Sequence, residues 1–201
     1  MIIDPSSLQP RDRYRLLIST IAPRPIAWIS TRARDGSLNL APFSFFQAVS
    51  GNPPLVVVSI GKRKGAPKDT LRNIQETGEF VINIVAEELA EKMNLTSGDW
   101  PAETSEFDVA GLTPAPSEAV KAPCVAESPI NMEAKLVQLV SLAGSDYSLV
   151  IGEIVCWHVA DGYLAPDGLV DIARVRPIAR LARDEYTRFG EVFAMPRPKV
   201  T

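Results

Sequence analysis

The 201-residue chain has only two cysteines and one histidine, so it is poor in the residues that most often announce chemistry. Cys124 and Cys156 are too few for a disulfide framework, and their wide spacing beside a lone His158 makes a His/Cys metal cluster unexpected. Neither thiol sits in a CxxC motif, which argues against thiol redox chemistry. Charge of one sign is also lacking. The net charge of -3 and a pI near 5.3 point away from a general nucleic-acid surface, so any anion site must be local. No apolar run reaches the roughly eighteen residues that a membrane span requires. The opening stretch, MIIDPSSLQPRDRY, puts prolines and charges where a signal peptide needs an apolar core. A cytoplasmic protein with neither membrane nor nucleic acid as partner is the expectation.

Familiar catalytic signatures are missing too. No GxGxxG follows the first predicted strand, no GxSxG is present, and the carboxylates are scattered without hydrolase spacing. What remains is an ordinary globular composition, with 46% apolar and 22% charged residues. That is enough for one core, and a single domain over residues 1–201 is expected.

The chain is organised around Pro23 to Asn83. Residues 1–22 read as a lead-in with one short helical turn, and Pro23 and Pro25 then force extended backbone. Ile26 to Thr31 is a strand, Asp35-Gly36 a hairpin turn, and Leu38 onward a return strand running through Phe46. Pro42 marks that return strand as an edge or a bulge. Leu55 to Ile60 is apolar enough for burial on both faces. A basic loop carries Lys62, Arg63 and Lys64, after which Asp69-Thr70 caps a helix from Leu71 to Thr77 that ends at Gly78. Phe80 to Val85 is a strand and Ala86 to Met93 a helix. Between Thr96 and Pro129, five prolines among Ser, Thr, Asp and Glu predict little regular structure. Trp100 and Phe107 in that stretch need cover, which a second subunit would supply. Ile130 to Leu142 and Ser148 to Val159 are long strands, the first with Met132, Ala134, Leu136, Gln138 and Val140 on one face. Hairpins with a few inserted helices predict a mainly β fold, an antiparallel barrel in place of a parallel βαβ sheet.

Two stretches are candidates for chemistry. GKRKGAPKDT gathers cations at a helix start, where free N–H groups, the dipole, Lys68 and the Thr70 hydroxyl suit a phosphate. The same residues also suit a solvated basic loop with Asp69 as a plain cap. Ala41-Pro42-Phe43-Ser44-Phe45-Phe46 offers aromatic sides and backbone N–H groups to a planar ring, or three phenylalanines to a core. His158 lies in a valine-rich strand and reads as a rim or satisfied histidine, with contact to a nicotinamide or a partner as the alternative.

Taken together, PRPIAWIST, the DG turn, NLAPFSFF, NPPLVVVSIG, KDTLRNI, TGEFVIN, LVIGEIV, DGLVDIARVRPIARL and GEVFAMPRP resemble the flavin reductase-like family, in particular its flavoredoxin-type members. The resemblance implies an FMN-binding antiparallel split β-barrel that works as a homodimer. It implies that Trp28, Ile29, Ser30, Thr31, Asn39, Ala41, Pro42, Phe43, Ser44 and Phe45 border the flavin ring and ribityl chain. Ser59, Ile60, Gly61, Lys68, Asp69 and Thr70 would lie at its phosphate end. The implied activity is an NAD(P)H-dependent flavin reductase, with NADH or NADPH passing hydride to flavin N5 and a monooxygenase or other redox protein as possible partner. An FMN electron carrier fed by a protein partner is the alternative, and a barrel that has lost redox function a third. No catalytic side chain is implied.

Overall fold

The computed structural model describes residues 1–101 and 103–200. The lead-in forms more structure than the sequence predicts. After a 3-10 turn at Pro5–Ser7 comes α1 (Pro10–Thr20), an eleven-residue helix. Pro10 opens it with a preset φ. At its far end the Arg24 guanidinium donates to the carbonyls of Ile18 (2.7 Å) and Ile21 (2.6 Å), groups that a helix terminus leaves unpaired. The helix is hard to read from the sequence because it buries little beyond Ile18.

Strands β1 (Ala27–Arg32) and β2 (Leu38–Phe43) form the predicted hairpin, with Gly36 at φ 95° in the turn. The return strand stops at Phe43, and β3 (Phe46–Gly51) is a separate strand paired with β4 (Pro54–Gly61). Helix α2 (Asp69–Thr77) begins two residues before the predicted Leu71. Lys68 is its N-cap, and Gly78 closes it at φ 72°. Strand β5 (Glu79–Asn83) follows, then a 3-10 turn at Glu87–Leu89 leading into α3 (Ala90–Leu95). The predicted irregular excursion holds α4 (Glu106–Ala110) and two-residue strands β6 (Pro114–Ala115) and β7 (Cys124–Val125). Long strands β8 (Ile130–Ser141) and β9 (Tyr147–Val159) come next. The tail adds α5 (Ile172–Val175) and the pair β10 (Ala179–Arg180) and β11 (Tyr186–Thr187). None of the described helices is long and apolar enough to cross a membrane.

Seven strands form one antiparallel sheet in the order β2-β1-β5-β8-β9-β4-β3. Its opposite sides feed one core: Ile29 of β1 and Phe43 of β2 meet Val58 and Ile60 of β4, with Leu71 and Ile74 of α2 closing the cluster. The sheet is therefore curled into a split barrel, as predicted. A second core lies outside β1, where Trp28 and Leu40 pack with Val85, Met93 and Phe107. Phe107 is only 1% exposed, so the chain itself provides the cover that was expected from a second subunit.

Two other expectations fail for geometric reasons. Strand β4 is not buried on both faces: Val56, Val58 and Ile60 point inward, while Leu55, Val57 and Ser59 are half-buried. In β8 the register shifts between Glu133 and Ala134 and again between Leu136 and Gln138. Each bulge resets the alternation, so Val137 points to solvent and Leu139 joins Met132, Ala134 and Leu136 against the core.

The barrel interior leaves one position where only glycine fits. A Cβ on Gly152 would lie 2.5 Å from Cζ of the buried Phe80 ring. Gly152→Ala is expected to lower stability by about 1–3 kcal/mol through overpacking, measured by chemical denaturation. Adding Phe80→Leu should recover part of the loss, and an unchanged midpoint for the single variant would contradict this packing.

Candidate functional site

The edge strand β2, the start of α2 and the loop after α3 enclose a cleft of about 300 Å³. Asn39, Phe43, Lys68, Thr70, Met93 and Trp100 are among its walls. One wall is a helix start left open by its own sequence. The N-cap Lys68 makes no side-chain cap bond, so the first-turn N–H groups lack that acceptor at a helix start whose Lys68, Asp69 and Thr70 line the cleft.

The floor is a hydrogen-bonded network. Asn39 Nδ2 donates to Thr70 Oγ1 (2.9 Å) and Thr31 Oγ1 (3.3 Å), and Asn73 Nδ2 donates to Thr31 Oγ1 (3.0 Å). Thr70 accepts here, which leaves its own proton to donate. Asn73 Oδ1 is buried without a partner among the described residues. The Lys68 ammonium sits 5.5 Å from the centre of the Phe43 ring. Although Lys68 as a whole is exposed, loss of water around that ammonium, helped by the Arg63 charge, holds its pKa below the ordinary lysine value against the pull of Asp99. Asp69 pairs with Arg72 (2.6 Å) and Arg63 with Asp99 (2.9 Å), so both carboxylates have cationic partners of their own.

The predicted site residues divide into two groups. Asn39, Ala41, Pro42, Phe43, Ser44, Lys68, Asp69 and Thr70 all line the cleft. Trp28, Ile29, Ser30 and Thr31 do not, because β1 is enclosed by β2, β5 and both cores. Trp28 Nε1 donates to Thr96 Oγ1 (2.9 Å), Ser30 Oγ donates to the Pro123 carbonyl (2.5 Å), and Ile29 packs inside the barrel. These four position the site and present no surface to a ligand. Ile60 is likewise interior, while half-buried Ser59 and Gly61 lie away from the cleft, Ser59 donating to the Phe45 carbonyl (2.8 Å). Phe45 stacks on Tyr147 (5.9 Å between ring centres). Lys62 and Lys64 are absent from the walls, so Arg63 is the only member of that cationic triplet at the cleft.

The β2 edge also offers fewer donors than a planar ligand was expected to find. The Leu40 N–H is taken by Glu106 Oε2 (3.0 Å), and Pro42 has no N–H. His158 is not at the cleft; it pairs with Glu133 in the adjacent strand. Met93, Trp100 and Glu106, none of them expected at a site, reach the cleft from segments far along the chain. Trp100 is held there by a bond from Nε1 to the Leu95 carbonyl (3.0 Å).

Burial raises the Glu106 carboxyl above its ordinary pKa, opposed by the Leu40 N–H bond and reinforced by the Asp69 charge. A carboxyl whose pKa is raised in the folded state costs stability as pH climbs from its unfolded pKa through its folded one. Glu106→Gln, which keeps an acceptor for Leu40, should therefore gain on the native protein as pH rises from about 4 to 7. Melting temperatures of both proteins across that range would measure it; a difference that stays flat or shrinks would contradict the assignment.

The fold is shared with known proteins. Residues 19–178 match the model of the flavin reductase like domain. Nitrilotriacetate monooxygenase component B from Bacillus cereus superposes with a TM-score of 0.94 at 38% identity, covering 97% of this chain and 98% of that one. The 2-nitrobenzoate 2-nitroreductase of Pseudomonas fluorescens gives 0.90 at 31% identity, over 98% and 96% of the two chains. Flavoredoxin of Desulfovibrio vulgaris (Miyazaki F) gives 0.77 at 31% identity, over 87% and 91%. With a matching domain over most of its length and a split barrel to carry it, the chain belongs to the flavin reductase-like family.

Proposed function

We propose that the protein holds FMN in the cleft and acts as an NAD(P)H-dependent flavin reductase, delivering reduced flavin to a monooxygenase or another redox protein. The observation that carries this reading is the uncapped start of α2, with Lys68 and the Thr70 hydroxyl beside it. A phosphate there accepts from the first-turn N–H groups, the Thr70 hydroxyl and the Lys68 ammonium at once. A local cationic pocket in a chain of net charge -3 is the pattern an anionic ligand selects.

The residues present fit the rest of the group as well. Phe43, Met93 and Trp100 give the cleft apolar walls, and Ser44 gives it a polar rim. FMN, when bound, supplies the hydride and electron chemistry, and the protein supplies orientation, water exclusion and charge. Lys68 and Thr70 anchor the phosphate, Asn39 orients the Thr70 hydroxyl, and Trp100 shields the cleft mouth. No side-chain acid or base is required, and none is assigned.

We further assign the working form as a homodimer. Val49, Val137 and Trp157 leave apolar surface on the outside of the barrel, each more than half exposed. The partner reading draws on the Bacillus cereus structure, which is a monooxygenase component B. The flavoredoxin likeness favours the second reading, an electron carrier fed by a protein.

A visible absorption spectrum of FMN-loaded, desalted protein under anaerobic conditions separates the two. Flavin bands that bleach with NADH or NADPH are the expected result and identify the donor. Bands that bleach only with dithionite would overturn the reductase reading in favour of the carrier.

A further inference from the structure

A cluster of metal-ligand side chains lies outside the cleft, contrary to the expectation from cysteine spacing and a lone histidine. Cys124 of β7, Glu133 of β8 and His158 of β9 come from neighbouring strands, and one ligand atom from each lies within 4.8 Å of the others. Glu133 and Cys156 are direct partners in the β8–β9 register, and His158 follows Cys156 by two residues on the same face. The Cys156 Sγ is 3.8 Å from His158 Nε2. In a tetrahedral zinc site, bond lengths of about 2.0–2.3 Å put ligand atoms roughly 3.3–3.8 Å apart. Cys124, Glu133 and His158 form the close group, and the Cys156 side chain must turn toward them to supply a fourth ligand.

We propose that Cys124, Glu133, His158 and Cys156 form a binding site for a zinc-class divalent cation. Glu133 is prepared for this role. Its side chain is fully buried, and it accepts from the backbone N–H groups of Glu118 (2.8 Å), Ala119 (2.6 Å) and Val120 (2.9 Å). Those bonds fix the carboxylate and occupy three of its four lone pairs. The remaining pair, on Oε1, is in direct hydrogen-bond contact with His158 Nε2, a contact that opens by about 1 Å to admit a cation. A cation between those two atoms takes one lone pair from each, with the His158 proton on Nδ1. The two thiols release their protons to solvent and bind as thiolates.

Two thiols and an imidazole select a borderline or soft cation over magnesium or calcium. His158 and Cys156 are partly exposed while Cys124 and Glu133 are buried, which gives the ion a route in and a closed inner wall. Ser117 Oγ lies 3.5 Å from Cys124 Sγ and donates to the Ala122 carbonyl (2.6 Å), steadying the segment that carries Cys124. The bound ion would clip residues 117–125 to the β8–β9 pair. None of the four ligands lines the cleft, so this site stands or falls independently of the flavin.

The test is a cobalt(II) titration of the full chain, reduced and stripped with chelator, read as a difference spectrum against the metal-free protein. We expect one cobalt per chain, with a thiolate-to-metal charge-transfer band and strong visible bands of a tetrahedral ion, both lost on adding zinc. Cys156→Ser and His158→Gln should each weaken binding at least about tenfold and leave FMN binding unchanged. Glu133 is left intact in both variants so that the fold is kept. No charge-transfer band in the native protein, or a band that survives unaltered in both variants, would overturn the proposal and leave Glu133 and His158 as a metal-free clasp.

Discussion

Strand β1 is enclosed on both faces, and the two cores that enclose it fix the position of everything at the cleft. Ile29 faces the barrel interior with Leu71 and Ile74 of α2, and Trp28 faces the outer core with Met93 and Phe107. One strand thus sets the distance between the helix start that carries Lys68 and Thr70 and the segment that carries Trp100. At about 1.5–3 kcal/mol for each fully buried large side chain, these contacts hold the frame far more strongly than any single polar bond at the cleft. The polar bonds do something different. Asn39, Thr31 and Asn73 tie β1, β2 and α2 together beneath the cleft, and the Asn39 amide leaves the buried Thr70 hydroxyl its own proton to donate.

Much of this frame was legible in the sequence. The Asp35-Gly36 turn, the edge proline at position 42, Gly78 at the end of α2 and the two long strands all follow from local backbone chemistry, and the structure has each of them. Helix α1 was not legible, because its carbonyl ends are satisfied by Arg24, a tertiary contact with no periodic signature. The faces of β8 were misread because bulges leave no mark in a hydrophobic pattern.

The lining of the cleft was half legible, for a related reason. Lys68 and Thr70 announce themselves as a basic loop running into a helix. Trp28 to Thr31 belong to the same recognisable block, yet their part is to be buried. Motif likeness does not separate a residue that lines a cleft from one that is buried behind it. Glu106 and Trp100 come from a proline-rich stretch without periodicity, and only the packing of Phe107 brings that stretch to the cleft. Cys124, Glu133 and His158 show the same effect at a second place: residues scattered along the chain become neighbours when strands pair.

The central claim is that the start of α2 holds a phosphate, and FMN affinity measured beside riboflavin affinity tests it most directly. In a Lys68→Ala, Thr70→Ala double variant, FMN binding should weaken by about 2–4 kcal/mol through lost charge-assisted hydrogen bonds. Riboflavin, which lacks the phosphate, should bind native protein and variant alike. Equal FMN affinity in the two proteins would contradict the claim and move the phosphate elsewhere.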